Sequence, residues 1–310
     1  MRTAFAETLF EMAQRDPRIV LITGDLGFGV VTPFMDKLPL QFVNAGVAEQ
    51  NMTGMAAGMA LSGKIVFTYS IANFPVLRCL EQIRNDLCYH NANVRVVSVG
   101  AGLAYGSLGV SHHATEDIAI TRALPNMLVL APGDPIETRL ATRALIDYQG
   151  PAYLRIGRAG EPTVHTTEPD FQIGKAIKVR EGGDLTLIAT GSQLHGTVNA
   201  AEILAASGIE ARVLSMHTVK PLDNDAVLRA AAETGVIFTV EEHSIVGGLG
   251  GAVAEVLLES GQRPRVFKRI GLQDSFSSIV GDQDYLRAQY NIDTAGIVKT
   301  VQETLALSAR

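Results

Sequence analysis

The sequence predicts an α/β protein built from two doubly wound domains with mostly parallel sheets, and three observations carry that prediction. Short aliphatic runs alternate with stretches of helical period along the whole chain, the pattern of buried parallel strands covered by helices on both faces. The length of 310 residues allows two such domains, each with its own core. The alternation lapses once, from Ala159 to Phe171, where prolines 162 and 169, threonines and charged residues crowd together. A stretch of loop formers of this kind reads as a linker. We therefore expect a first domain at 1–160, a linker at 161–175 and a second domain at 176–310.

In chain order, Phe5 to Arg15 carries Phe5, Leu9, Met12 and Ala13 on one helical side. Ile19 to Ile22 is a buried strand that runs into Thr23-Gly24-Asp25-Leu26-Gly27. Gln41 to Asn44 is the strand that feeds a helix starting near Glu49, followed by a strand at Ile65–Thr68 and a helix from Val76 to His90. Val94 to Val99 is a strand ending in a glycine-rich loop, Gly100 to Thr115. A helix near Glu116–Ala123, the strand Met127–Leu130, a helix from Asp134 to Tyr148 and the strand Ala152–Ile156 complete the first domain. The second resumes with the strand Leu185–Ala189, the helix His195–Ser207, the strand Ala211–Leu214, the helix Asp223–Thr234 and the strand Val236–Val240. A helix opened by Gly247-Gly248-Leu249-Gly250-Gly251 follows.

Composition excludes several classes of function. Hydrophobic residues make up 47% and charged residues 19%, the balance of a globular protein. A net charge of −6 with no basic run argues against a nucleic-acid partner. No apolar stretch is long enough to span a bilayer, and Arg2, Glu7, Glu11 and Arg15 at helical spacing do not suit a signal peptide. Cys79 and Cys88 fall on opposite faces of one predicted helix, too badly placed to bridge. Two reduced thiols suit a cytoplasmic location, which is the expectation here.

One stretch organises the first domain. From Ala48 to Leu61 almost every residue is small or apolar, which predicts a helix buried on nearly all sides. Glu49 stands in its first turn. A carboxylate there can simply offset the helix dipole, but a wall of Gly, Ala and Met would also desolvate it and raise its pKa toward neutrality. The Gly24-Asp25-Leu26-Gly27 turn lies at the carboxyl end of a strand, where α/β sheets place ligands; Asp beside Gly also marks any tight turn. Phe67, Tyr69 and Phe74 offer flat faces for a ring to stack on, or ordinary core.

His112 and His113 with Glu116 lack a third well-spaced ligand, and adjacent loop histidines point apart, so no metal is assigned to this chain. A histidine at a glycine-rich bend suits proton transfer or oxyanion support instead. Arg158 and Arg2 have the planar fork that grips phosphate, although one suits the surface and the other a chain terminus. Glu241-Glu242-His243 and the glycine cluster after it read as structural.

The Gly46-Val47-Ala48-Glu49-Gln50-Asn51 segment resembles the glutamate motif in the pyrimidine-binding domain of transketolases and 1-deoxyxylulose-phosphate synthases, which use thiamine diphosphate. The resemblance implies that Glu49 is catalytic: in that family the glutamate bonds a ring nitrogen of the aminopyrimidine and favours the tautomer that takes a proton from the thiazolium carbon. It places Asp25 and Leu26 against the pyrimidine. Aligned on Arg78 and Glu81-Gln82, Phe74 takes the central stacking position, with Ile71 and Leu77 where flanking aromatics are usual. His112 matches the histidine at the reacting end of the substrate, with His113 beside it, while Arg158 and Arg2 match phosphate-binding arginines. Leu108 replaces an aspartate that contacts a sugar hydroxyl, and Gly100 replaces a histidine used for the donor sugar.

The family holds the diphosphate through Mg2+ with a Gly-Asp-Gly motif followed by Asn in a separate domain, and this chain has no Gly-Asp-Gly. The resemblance covers essentially the whole chain but only the pyrimidine-binding and carboxy-terminal domains. It therefore implies one subunit of a split transketolase, joined to an N-terminal diphosphate-binding subunit that holds the Mg2+ in an α2β2 heterotetramer, acting on sugar phosphates or related small molecules. Transfer of a two-carbon ketol unit is the leading expectation. A thiamine-diphosphate enzyme with a 2-oxo acid donor, and a non-catalytic regulatory subunit, are the competing ones.

Overall fold

The computed structural model describes residues 1–308. Its first sheet is built on β1 (Ile19–Thr23), β2 (Phe42–Asn44), β3 (Ile65–Ile71), β4 (Val94–Val99), β5 (Leu128–Leu130) and β6 (Ala152–Ile156). The second uses β7 (Ile177–Arg180), β8 (Leu185–Ala189), β9 (Ala211–Ser215), β11 (Val236–Ser244) and β12 (Val266–Leu272). β10 (Thr218–Lys220) leaves the second half of the chain to pair antiparallel with β5, so the first sheet runs β10-β5-β6-β4-β3-β1-β2. The second sheet runs β12-β11-β8-β9-β7, with β7 antiparallel to β9. All other pairings are parallel.

The central strands are apolar throughout because both faces are covered. Under the Arg2–Ala13 helix, Phe5 and Leu9 pack on Leu21, Phe67 and Leu154. On the opposite face, Met52 and Ala56 pack on Val20 and Val66, with Ile83 and Tyr153 in the same core. The second sheet is sandwiched likewise, with Leu187 and Phe238 facing one core and Ile188 and Ile237 the other.

Two expectations need correction. The Glu49–Leu61 helix is not buried on all sides: Glu49, Met52, Thr53, Ala56 and Ala57 are covered, whereas Gln50, Asn51, Gly54, Gly58 and Leu61 are exposed. It lies flat on the sheet, and a Cβ added at Gly54 or Gly58 would meet nothing within 4 Å. The expected helix at 76–90 is broken into Asn73–Val76, Leu80–Gln82 and a wide, π-type turn at Ile83–Tyr89. The break falls around Arg78, which turns toward Glu49. Beyond the expected linker, β10 adds an antiparallel edge strand to the first sheet. Cys79 and Cys88 are buried and unpaired.

Candidate active site

The carboxyl ends of β2, β1 and β3 lie side by side and define the site's floor. Asp25 adopts a left-handed backbone (φ 57°), a conformation that needs local support in a residue with a side chain. Asn44 supplies it from the end of β2. Its Oδ1 accepts from Asp25 N at 3.1 Å and from Gly46 N at 3.0 Å, and its Nδ2 donates to Asp25 Oδ1 at 2.9 Å. One amide thus ties the Asp25 turn to the loop that delivers Glu49. Leu26 packs at the edge of the first core while Asp25 stays exposed.

Glu49 is 1% exposed. A Cβ at Gly24 would stand 3.6 Å from Glu49 Cγ and 3.5 Å from Ser70 Oγ, so the carboxylate arm runs beneath the Gly24 turn. Arg78 Nη1 donates to Glu49 Oε2 at 2.7 Å. The desolvation expected from the Gly/Ala/Met wall is therefore answered by a counter-ion, and it comes from the break in the following helix. Oε1 accepts no hydrogen bond among the described residues, and the nearby Ser70 Oγ is buried without a partner.

The Arg78 guanidinium also lies over Phe74, with Cζ 5.0 Å from the ring centre. The other face of the pattern is histidine. Phe74 and His112 meet edge to face at 5.2 Å, and His112 and Tyr105 do so at 6.4 Å. Arg158 Cζ stands 5.8 Å from the Tyr105 ring. Glu49, Arg78, Phe74, His112, Tyr105 and Arg158 thus form a continuous file from the β1 end to the end of β6. Ser111 Oγ is 3.0 Å from His112 Nδ1, and Nε2 has no hydrogen-bond partner among the described residues.

The loop that carries His112 and Tyr105 is held from two directions. Gly102 and Ala114 exchange backbone bonds at 3.1 and 2.9 Å, which close its base. Glu242, 1% exposed, reaches in from β11. It accepts from Leu103 N at 2.6 Å and from Gln283 Nε2 at 2.8 Å, and it is paired with Arg287 through Nε at 2.7 Å. Arg155 on β6, also buried, donates to Ala114 O and Glu242 O, both at 2.9 Å, and to Asp117 Oδ2 at 2.7 Å. Next to it, Glu241 accepts from Leu249 N and Gly250 N at a helix start. Burial nevertheless pushes its carboxyl up to about 7 against those bonds. The Glu241-Glu242-His243 run is a joint between the domains.

The structure sorts the remaining candidates. Phe67 and Tyr69 are core, with Tyr69 stacked on Phe5 at 5.9 Å. His113 does not join His112: it is buried and lines a small crevice with Leu103, Leu272 and Tyr290, where burial pushes its pKa down. Two consecutive residues leaving a tight turn point in opposite directions, as expected for adjacent loop histidines, and that takes His113 away from the substrate role the resemblance gave it beside His112. Arg2 is the first residue of its helix, with Nε buried and unpartnered among the described residues. Arg158 is exposed and also borders a cleft of about 470 Å³ between the domains, together with Ser192, His195 and Arg287. Leu108 is 53% exposed at the loop's outer turn. Four contributors escaped sequence reasoning as site residues: Asn44, Arg78, Tyr105 and Glu242. Asn44 left a signal, a polar residue ending a strand directly before the Glu49 loop, and Arg78 stood in the pattern that placed Phe74 without being read as a site residue.

A buried carboxylate with one free oxygen, facing an aromatic ring across a gap now taken by a flat cationic guanidinium, is a seat for a planar heterocycle that donates hydrogen bonds. Thiamine's aminopyrimidine fits that description. Family comparison agrees. Residues 1–160 match the transketolase pyrimidine-binding domain and residues 174–297 the transketolase C-terminal domain, so the chain belongs to the transketolase family and comprises those two domains.

Among individual proteins, it is 43% identical to an apulose-4-phosphate transketolase subunit of Phocaeicola vulgatus, over 97% of this chain and 96% of that one. A solved split-gene transketolase, described as an inactive beta4 tetramer, superposes with a TM-score of 0.89 at 38% identity, covering 99% of this chain and 98% of that one. The 1-deoxy-D-xylulose-5-phosphate synthase of Heliobacterium modesticaldum is 34% identical over 96% of this chain but only 46% of its own length. Among the described residues no helix is long and apolar enough to cross a membrane.

Proposed function

We propose that this chain is the C-terminal subunit of a split, thiamine-diphosphate-dependent transketolase, which moves a two-carbon ketol unit from a ketose phosphate to an aldose acceptor. The observation that carries the reading is the Glu49–Phe74 seat, with Oε1 of a buried carboxylate left free. When bound, thiamine diphosphate supplies the acidic carbon on which the transfer depends. Glu49 Oε1 shares a proton with the ring nitrogen, Phe74 presents its face to the ring, and Asp25 and Leu26 wall the edge. His112 offers Nε2 to a substrate oxygen, a position from which an imidazole can pass a proton near pH 7. Arg158 and Arg2 orient the anionic end of the substrate.

A diphosphate-binding partner supplies what this chain lacks, the groups that hold Mg2+ and the phosphates. The exposed Gln50, Gly54 and Gly58 face of the Glu49 helix is shaped for close approach by another chain, and two copies of each subunit are the expected assembly in the cytoplasm. The relatives described as transketolase subunits span nearly the same length, which supports a separate subunit.

The test is reconstitution. The purified chain alone transfers nothing, and it gains ketol transfer on addition of a separate diphosphate-binding transketolase chain, with Mg2+ and cofactor. Failure with every ketose, or release of CO2 from pyruvate without ketol transfer, sinks the reading. The second outcome would favour a 2-oxo acid donor, which the exposed Leu108 at the expected aspartate position and the synthase relatives keep in contention.

A further inference from the structure

The space above Gly100 is already taken. Gly100 has φ +91°, and a Cβ built on it would lie 2.1 Å from Tyr105 Cε2 and 2.3 Å from Cδ2. No other residue type could stand there without expelling the ring, because that backbone favours glycine and the ring occupies the side-chain volume. Gly100 and Tyr105 are therefore one feature, a glycine that makes room for an aromatic ring five positions later.

The ring's surroundings give it a task. His112 meets the ring at 6.4 Å between ring centres, and Arg158 Cζ stands 5.8 Å from its centre. Tyr105 therefore touches on both the group suited to move a proton and the group suited to hold an anion. Burial pushes the phenol up, and the charges of Arg2 and Arg158 pull against it. The phenol stays neutral and donating at neutral pH. Glu242 on Leu103 N–H and the Gly102–Ala114 bridge keep the loop beneath it from drifting.

We propose that Tyr105 is a specificity-determining residue of the ketol-transfer site: its ring fills the space over Gly100 and limits what passes between His112 and Arg158, and its hydroxyl joins Arg158 and Arg2 around a phosphate on the substrate. The proposal rests on the transketolase reading. It selects short acceptors that carry a terminal phosphate over acceptors without one.

The test uses the two-subunit complex with glycolaldehyde and glycolaldehyde phosphate, an acceptor pair that differs only in the phosphate. Tyr105→Phe keeps the ring and loses one hydrogen bond to a charged group, so KM for the phosphorylated acceptor rises about tenfold relative to KM for glycolaldehyde. Tyr105→Ala opens the volume and raises the relative kcat/KM for longer acceptors. Calorimetric titration of inorganic phosphate into the same complex gives an independent reading, with affinity about tenfold weaker in Tyr105→Phe. An active complex whose Tyr105→Phe variant keeps both its acceptor ratio and its phosphate affinity overturns this inference alone. A wild-type complex that transfers no ketol unit overturns the function, whereas Tyr105-dependent phosphate binding in that complex would still sustain the anion subsite.

Discussion

Replacing Glu242 by Ala should free the His112 loop, and the structure allows the size of the effect to be worked out. The carboxylate is 1% exposed and Arg287 18%. Removing one partner of a buried pair costs about 3–5 kcal/mol, mostly because a charge is left without its counter-ion. Water still reaches Arg287, which puts the expected cost near the lower end, about 3 kcal/mol, and Leu103 N–H loses its acceptor as well. If that cost falls on loop opening, hydrogen exchange of the Leu103 amide accelerates about 100-fold, since 1.4 kcal/mol is a factor of ten. Glu242→Gln keeps an acceptor for Leu103 and loses the charge, so it should fall between, near tenfold. Exchange measured by mass spectrometry on the peptide spanning 100–115 reads both variants. In the reconstituted complex, kcat should fall in the same order, because His112 and Tyr105 ride on this segment. A Glu242→Ala protein whose loop exchanges at the wild-type rate would refute the clamp.

Other consequences are more direct. Glu49→Gln should lower kcat of the complex by about 10²–10⁴-fold, the usual range for losing a general acid–base group, with the fold retained by circular dichroism; activity within a few-fold of wild type removes Glu49 from the chemistry. Gly54→Leu should leave this chain as stable as before or more so, since glycine costs about 1 kcal/mol in a helix and a Cβ added there meets nothing within 4 Å. It should nevertheless block co-purification with the partner, and normal assembly would show that this helix face stays uncovered. Glu241 carries the pH prediction. Its folded pKa is raised from 4.5 to about 7, so the native state keeps a proton that the unfolded chain gives up. The stabilisation is complete below pH 4.5 and disappears as pH rises through 7, about 3 kcal/mol in all. Unfolding midpoints between pH 4 and 8 should slope downward in wild type and flatten in Glu241→Gln; parallel slopes would contradict the assignment.

What was legible in the sequence follows from how each feature is made. β1, β3, β4, β6 and β8 announced themselves because both faces are covered, so the runs are apolar without alternation. β7 and β10 did not. They are short antiparallel edge strands, and Thr218-Val219-Lys220 has no apolar run to betray it. Glu49 stood out as a lone carboxylate in a stretch of small residues. Its partner Arg78 was invisible as a partner, because the contact spans 29 positions and depends on a helix break that periodicity did not show. Tyr105 was hidden for another reason: its place is set by the Cβ that Gly100 lacks, a property of a pair rather than of either residue.

The same contacts change how the second domain should be regarded. Composition marks 159–171 as a linker, which suggests two bodies on a tether. Yet β10 completes the first sheet from the far side of that linker, and Arg155 at the end of β6 bonds the Glu242 carbonyl. Glu242 in turn grips the loop that carries His112 and Tyr105. Each link is buried or edge-to-edge in a sheet, where a small displacement would strand charges or unpair backbone groups. The mechanical boundary therefore does not coincide with the covalent one. The second domain supplies none of the residues in the file from Glu49 to Arg158, and its service to the site is to hold still the segment that does.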